Sequence, residues 1–218
     1  LLGLLNFCYQ VVPPGRCFLR RLIDLTKNVT KPNHRITLNK ESRRDLQAWS
    51  IFIDQFNGRS LLLARQWFTT HALHLYTDAS GSIGFGAIFR THWTYGTWPE
   101  SISAFHITFK ELFPIVLSVE VWGPLLRNKC IVLHTDNMAV VHVLNNQTSK
   151  NPDIMVLVRR FVIACMRQNI LIHAEHIPGI YNVLPDLLSR LQIDKFRELA
   201  PNVDPEPTTL SLDHLTMP

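Results

Sequence analysis

Two aspartates stand at the ends of short segments that are typical of buried strands. Asp78 follows the segment 75–77, and Asp136 follows the segment 133–135, in a chain of which only 18% is charged. If these two strands are neighbours in one sheet, both carboxylates emerge at the same edge of it. Carboxylates that crowd together resist ionising unless a cation neutralises them. The spacing therefore favours a metal site.

Two further carboxylates are candidates for the same site. Glu111 lies early in a segment with helical spacing, and Asp186 opens a short helical segment ten residues after His176. Hard oxygen ligands of this kind suit Mg²⁺ or Mn²⁺. Two such ions about 4 Å apart stabilise the attacking water and the leaving oxygen in phosphodiester cleavage. The chemistry that these residue types favour is metal-assisted hydrolysis.

Each carboxylate also has a purely structural explanation. Asp78 could form the turn before Gly81, Asp136 could cap the helix that follows it, and Asp186 could be a helix-start residue after Pro185. Taken alone, each of these explanations is as good as the functional one. The combined order of strand-Asp, helix-Glu, strand-Asp and His-x₉-Asp favours a shared site.

The elements that must position these residues form three regions. Residues 1–70 predict a small helical segment, with an amphipathic helix over 38–56. Residues 71–192 predict the order βββαβ(αα)βα, which begins with an antiparallel meander of three strands. Residues 193–218, rich in proline towards their end, predict a linker or tail. The expected fold class is α/β, a mixed five-stranded sheet flanked by helices.

Four motifs follow one another along the chain: YTDAS (76–80), KEL (110–112), HTDN (134–137) and HIPG with the later Asn and DLLSR (176–190). They resemble the ribonuclease H domain of retroelement reverse transcriptases, most closely that of DIRS-like retrotransposons, which encode tyrosine recombinases. The resemblance covers about residues 72–192 and implies a ribonuclease H-like fold. More weakly, VVPPGR (11–16) and DLQAW (45–49) resemble the thumb or connection segment that ends the polymerase. The four motifs appear in the order of that family.

The resemblance implies a role for each site residue. Asp78, Glu111, Asp136 and Asp186 would ligate two Mg²⁺ ions, with Mn²⁺ as the alternative metal. His176, on a mobile loop, would assist proton transfer or product release. Two prolines depart from the family pattern: Pro185 precedes the last aspartate, and Pro114 falls in the first turns of a helix starting near Thr108. The residues expected to contact nucleic acid are Ala79, Ser80, Gly81, Asn137, Asn182, Arg16, Arg20 and Arg21.

Charge is spread unevenly along the chain. Residues 1–70 hold 11 Lys and Arg against 4 Asp and Glu, whereas residues 71–218 hold 11 against 13, which together give the net charge of +5. A basic first third predicts a grip on a polyanion, and basic side chains on solvated helix faces are the alternative. The expected partners are an RNA/DNA hybrid and the polymerase part of the same polyprotein.

Other classes of protein are disfavoured. No stretch approaches the roughly 18 apolar residues of a membrane span, and the four scattered cysteines predict neither a disulfide scaffold nor a zinc site. The chain begins at Leu1 without a basic leader, which we interpret as a piece of a longer intracellular polypeptide, cytoplasmic or nuclear. It lacks the paired aspartates of a polymerase palm, so DNA synthesis by this segment is not expected.

The expected activity is Mg²⁺-dependent hydrolysis of the RNA strand of an RNA/DNA hybrid. One alternative is a transposase or integrase on the same fold; these carry three acidic residues and act on DNA, so the fourth residue, Asp186, together with His176 argues against it. The other alternative is a catalytically silent hybrid-binding or scaffolding module, a domesticated remnant. The intact acidic quartet argues against that decay.

Overall fold

The computed structural model describes residues 1–31, 33–54 and 73–210, and these fall into two compact units. The first contains the N-terminal helices, together with residues 147–149, and the second contains the sheet and the helices around it. The domain boundary that the sequence predicts between residues 70 and 71 lies outside the described residues.

The N-terminal unit is built around one buried tryptophan. Trp49 is fully buried, and its ring lies so close to Gly15 that a Cβ on that glycine would overlap it. Phe52 packs edge-on against Trp49, with ring centroids 6.0 Å apart. The unit consists of α1 (Leu2–Cys8), a 3₁₀ turn (Pro13–Phe18), α2 (Arg20–Asp24) and α3 (Lys40–Asp54).

The second unit contains the five-stranded mixed sheet that the sequence predicts. The strands lie in the order β3-β2-β1-β4-β5. The first three pair antiparallel as a meander, and β4 and β5 run parallel to β1. Because β1 and β4 are parallel neighbours, the residues that follow them emerge at the same edge. The strands are β1 (Leu73–Ala79), β2 (Gly84–Phe89), β3 (His92–Thr97), β4 (Cys130–Thr135) and β5 (Leu171–His176).

Helices cover both faces of this sheet, and β2 shows how the faces divide. Phe85 and its alternate neighbours face α5, where Phe113 lies 5.9 Å away by ring centroids. Gly86 and Ile88 face the opposite side, which α9 and α10 cover. Among the described helices none is long and apolar enough to cross a membrane. They are α4 (Glu100–Ser103), α5 (Ile107–Val121), α6 (Gly123–Leu126), α7 (Met138–Asn146), α8 (Pro152–Gln168), α9 (Val183–Ser189) and α10 (Ile193–Leu199), with a 3₁₀ turn at Gly179–Tyr181.

Pro114 lies in the middle of α5 rather than in its first turns, which corrects the sequence-based expectation. Proline has no N–H group, so the carbonyl of Lys110 loses its usual helical donor. The helix nevertheless continues to Val121, because α5 is buried along most of its length and packs against both the sheet and α8. Tertiary packing here outweighs the local cost of the proline.

The C-terminal segment also differs from the linker or tail predicted over residues 193–218. It begins with α10, whose Phe196 is fully buried with its ring centroid 5.0 Å from that of Trp93. Beyond the helix, the amides of Asp204 and Thr208 donate to carbonyls of the β3 side of the sheet, at 2.9 and 2.7 Å. The segment packs because its apolar side chain completes the core between α9 and β3. Residues 211–218 lie outside the described residues.

If this packing stabilises the domain, Phe196→Ala should lower the free energy of unfolding by about 3–5 kcal/mol, the usual cost of emptying a buried phenylalanine site. Leu199→Ala on the same helix is the matched control, because Leu199 is 56% exposed and its truncation should cost less than about 1 kcal/mol. Urea unfolding followed by circular dichroism measures both. Equal effects of the two substitutions would show that α10 is not part of the core.

Candidate active site

Three carboxylates meet at the edge of the sheet where β1 and β4 end. One oxygen from each of Asp78, Glu111 and Asp136 lies within 4.8 Å of the other two. Asp78 is the last residue but one of β1, Glu111 is on α5, and Asp136 follows β4 directly. The first two are buried and the third is exposed. The cluster is thus open to solvent on one side only.

Neighbouring residues perform the structural roles that these aspartates could have had. The hydroxyl of Ser80 accepts two main-chain N–H groups of the turn after β1, at 2.8 and 3.0 Å. The side-chain oxygen of Asn137 accepts two N–H groups at the start of α7, at 3.0 and 3.3 Å, and so caps that helix. The carboxylates of Asp78 and Asp136 are therefore not needed for the turn or the cap.

The cluster is electrostatically strained in the absence of a cation. Burial, together with repulsion from Asp78 and Asp136, raises the pKa of Glu111 to about 9. Burial also raises the pKa of Asp78 to about 6, although a hydrogen bond from Ser189 opposes this shift. Both shifts reflect the cost of placing like charges together away from water.

The donor set fits a hard divalent cation. Glu111 Oε2 is buried and has no hydrogen-bond partner among the described residues, an arrangement that is costly unless something else binds that oxygen. Carboxylate oxygens are the ligands that Mg²⁺ and Mn²⁺ prefer. Asp78, Glu111 and Asp136 could therefore hold such an ion.

Asp186, the fourth predicted ligand, is near the cluster but is not one of the three that meet. It lies in the first turn of α9, and its Oδ1 accepts a hydrogen bond from Arg190 Nε at 2.7 Å, one helical turn further on. Its charge contributes to the raised pKa of Asp78. The sequence predicted its neighbourhood, whereas the ion pair with Arg190 was not predicted.

His176 is the last residue of β5, which corrects its predicted position on a mobile loop. Its Nε2 lies 3.1 Å from the backbone oxygen of Asp136. Gly179, in the loop that follows, passes so close that a Cβ there would lie 3.2 Å from Asp136 Oδ2. The imidazole and the loop backbone therefore flank the exposed carboxylate of the cluster.

Asn182 is buried, with 1% of its surface exposed. Its amide nitrogen donates to the backbone oxygen of Thr77 at 2.9 Å, and its Oδ1 has no partner among the described residues. In this structure the side chain ties the segment before α9 to β1, one residue before Asp78. Its predicted contact with a nucleic acid stays a prediction.

The loop predicted to contact the hybrid, residues 79–81, is held by the buried side chain of Lys110. Lys110 Nζ donates to the carbonyl of Gly81 at 2.5 Å and to that of Ser103 at 2.6 Å. Ala79 is buried at the end of β1, whereas Ser80 is partly exposed and Gly81 is exposed. The sequence predicted no role for Lys110, although its position beside Glu111 was the available signal.

The three arginines predicted to contact nucleic acid all have partners within the N-terminal unit. Arg16 lies over the ring of Tyr9, at 5.1 Å from its centroid. Arg20 pairs with Asp24 at 2.7 Å. Arg21 pairs with two carboxylates of α3, at 3.2 and 3.3 Å. Their contacts with nucleic acid likewise stay predictions.

Ser189 is a site residue that sequence reasoning missed. Its Oγ donates to Asp78 Oδ2 at 2.5 Å. Ser189 follows Asp186 by three residues, so both project from the same side of α9. That helical spacing was the signal that could have found it.

No family model matches the chain, and no curated relative matches it. Among solved structures, it is similar to ribonuclease H1 from the archaeon Halobacterium salinarum NRC-1, at 16% identity and a TM-score of 0.47, with 57% of this chain and 98% of that one covered. It is also similar to the N-terminal ribonuclease H domain of a Mycobacterium tuberculosis protein, at 16% identity and a TM-score of 0.43, covering 60% and 99%.

A third similar structure is the prototype foamy virus protease-reverse transcriptase, at 15% identity and a TM-score of 0.34. That match covers 80% of this chain but only 23% of the viral protein. The α/β architecture expected from the sequence is confirmed, since the structure contains a mixed five-stranded sheet with helices on both of its faces.

The raised pKa of Glu111 makes a prediction about stability. The folded chain holds this proton up to about pH 9, whereas the unfolded chain releases it near its ordinary pKa of 4.5. The folded state binds more protons in this window, so stability falls as pH rises through it. In EDTA at pH 8, Glu111→Gln should therefore raise the melting temperature by at least about 3 °C, the shift expected for ~1 kcal/mol at this chain length.

Near pH 4.5 that gain should disappear, and Mg²⁺ should raise the melting temperature of the unmodified protein but not that of the variant. Glu198→Gln, which removes an exposed carboxylate, is the control and should change little at either pH. Differential scanning calorimetry checks all of these expectations. A variant no more stable than the parent at pH 8 would contradict the strained cluster.

Proposed function

We propose that this chain is a Mg²⁺-dependent endoribonuclease that hydrolyses the RNA strand of RNA/DNA hybrids. The observation that carries the proposal is the meeting of Asp78, Glu111 and Asp136 within 4.8 Å at the edge of a ribonuclease H-like sheet. The motif resemblance supports the choice of reaction, because the same residues occupy the acidic positions of that family. The motif order, with the fourth acidic residue Asp186 and His176 beside the cluster, favours this function over DNA transposition.

The residues divide the work of the site. Asp78, Glu111 and Asp136 would hold the metal, and Asp186 would join them once its carboxylate leaves Arg190. When bound, divalent ions supply activation of the attacking water and stabilisation of the leaving oxygen in phosphodiester hydrolysis. Because the pKa of Glu111 is raised, its carboxyl group holds a proton near neutral pH. Binding of a cation would displace that proton.

His176 is placed to handle a proton beside the cluster. Its Nε2 lies at hydrogen-bond distance from the backbone oxygen of Asp136, which makes Nε2 the protonated nitrogen of the neutral ring. The lone pair is then on Nδ1, and that atom can accept a proton and later return it. Because His176 is exposed, it can exchange that proton with solvent or with a leaving group.

Selectivity for a hybrid would come from the ribose hydroxyls of its RNA strand. RNA is told from DNA by 2′-hydroxyl contacts across a wide, shallow minor groove, and shape rather than sequence is recognised. The turn at Ser80 and Gly81 borders the cluster and is held by Lys110, so its backbone is rigidly placed for such contacts. Asn137 and Asn182 are the further candidates on this side of the site.

The proposed context is the reverse transcriptase of a DIRS-like retroelement. In that setting the N-terminal helical unit is the end of the polymerase thumb or connection, and the polymerase part of the same polyprotein is the partner. The enzyme would act inside the cell, in cytoplasm or nucleus. The motif order over residues 72–192 and the basic character of residues 1–70 support this context.

Cleavage of an end-labelled RNA/DNA hybrid tests the proposed activity. With Mg²⁺ the chain should cut the RNA strand of the hybrid, and it should leave duplex DNA and duplex RNA intact. EDTA should abolish cutting. Asp136→Asn should lower the rate at least about 100-fold while hybrid binding is kept, because a neutral amide is a poor ligand for a hard cation.

Asp194→Asn, an exposed aspartate on α10, is the matched control and should cleave like the unmodified chain. If the chain binds the hybrid tightly but never cuts it, the protein is a silent binding module and the proposal is wrong. Cutting of duplex DNA instead would indicate the transposase class.

A second experiment tests the basic N-terminal unit. Each lost phosphate contact should lower the slope of log affinity against log salt by roughly 0.7–0.9. Replacing Arg20 and Arg21 together by Ala should therefore weaken hybrid binding and flatten this slope by about 1.5. Fluorescence anisotropy over a range of NaCl concentrations measures both quantities.

The control for that experiment is Asp24→Asn, which removes the ion-pair partner of Arg20 but keeps the cation. Affinity should then be unchanged or higher. If the double arginine variant binds with the same affinity and salt slope as the parent, this unit does not grip the duplex.

A further inference from the structure

Ser189 sits between two of the acidic residues of the site. It is fully buried at the end of α9. Its Oγ lies 2.5 Å from Asp78 Oδ2 and 3.0 Å from the backbone oxygen of Asp186. A hydroxyl has one proton to donate, and the shorter contact is the one expected for a charge-assisted bond to a carboxylate. The hydrogen bond to Asp78 is therefore the dominant one.

A glycine on β2 makes this contact geometrically feasible. Gly86 is the cross-strand partner of Asp78, and α9 lies directly over it. A Cβ on Gly86 would overlap the Leu188 side chain and would lie 2.9 Å from the Pro185 oxygen and 3.0 Å from the Ser189 nitrogen. Any side chain at position 86 would push α9 off the sheet. The absence of one brings the α9 backbone close enough for Ser189 to reach Asp78.

The hydrogen bond restricts the Asp78 carboxylate. Oδ2 accepts the hydrogen bond from Ser189, which limits rotation of the carboxylate group. Oδ1 does not take part in this bond. An outer partner of this kind orients a metal-binding oxygen, and its loss commonly costs 10–100-fold in metal affinity. The same helix carries Asp186, so the contact also fixes α9 relative to the cluster.

We infer that Ser189 is a positioning residue that orients Asp78 for divalent-ion binding, with Gly86 setting the approach of α9 that this requires. The inference rests on the proposed function for its setting, but it concerns metal affinity and not the reaction itself. Ser189 touches a ligand residue rather than the substrate.

Binding of Mn²⁺ by the full chain, measured by isothermal titration calorimetry, tests this inference without reference to catalysis. Ser189→Ala should weaken Mn²⁺ binding about 10-fold or more. Ser189→Cys, which keeps the shape of the side chain with a somewhat larger atom but donates a hydrogen bond only weakly, should also bind Mn²⁺ more weakly than the parent. In the cleavage assay, the Mg²⁺ concentration for half-maximal rate should rise by a similar factor, with the rate at saturating Mg²⁺ changed much less.

Ser118→Ala is the matched control. Ser118 is equally buried and donates to the Pro114 carbonyl within α5, so its loss tests removal of a buried hydroxyl away from the cluster. It should leave Mn²⁺ affinity within about twofold of the parent. Circular dichroism confirms that each variant is folded before titration.

Each result decides the inference. Parental Mn²⁺ affinity in Ser189→Ala, or an equal loss in Ser118→Ala, overturns it. If Ser189→Ala does not fold, Ser189→Cys decides in its place, and unfolding of both variants overturns the inference because the serine would then be structural. Mn²⁺ binding that depends on Ser189 in a chain that never cleaves hybrid would leave this inference standing while the proposed function fails.

Discussion

Mutual repulsion among buried carboxylates is the constraint on which the rest of the site depends. Asp78 and Glu111 are removed from water and face each other and Asp136, and the raised pKa values of the first two record the cost. A fold tolerates such a cluster only where packing elsewhere holds it in place. Here the parallel pairing of β1 with β4 and the deeply buried α5 provide that framework. The cation that the cluster fits would relieve the repulsion.

Polar and charged residues around the cluster satisfy the nearby backbone groups, so the carboxylates are not needed for that purpose. Ser80 closes the turn after β1, Asn137 caps α7, and Lys110 anchors the loop between β1 and β2. Each satisfies backbone groups that an aspartate or a water molecule would otherwise have to satisfy. The ligands and the scaffold are therefore carried by different side chains, so a change in one need not rebuild the other.

The sequence predicted the mixed sheet, its antiparallel meander and the closeness of the acidic residues. Alternation of apolar and polar residues, β-branched side chains and acidic residues at strand ends are all local signals. It could not show that Asp186 pairs with Arg190. The spacing along the chain is the same whether the Asp186 carboxylate faces Arg190 or the acidic cluster. Nor could it predict that residues 193–208 pack. Phe196 is the buried residue of α10, and its ring partner Trp93 lies about a hundred positions earlier. Such long-range pairing leaves no local periodicity to read.

The distance along the chain between β3 and its C-terminal cover has a consequence for biogenesis. Trp93 is made early, but its indole N–H and backbone carbonyl find their partners only in Asp204 and Thr208. During translation, the edge of the sheet at β3 and the Trp93 side chain would stay uncovered until these residues are synthesised. Contacts between residues so distant in sequence also form slowly. Completion of the domain is thus coupled to translation through residue 208, and a nascent chain stalled before residue 204 would present an unpaired edge strand to other chains.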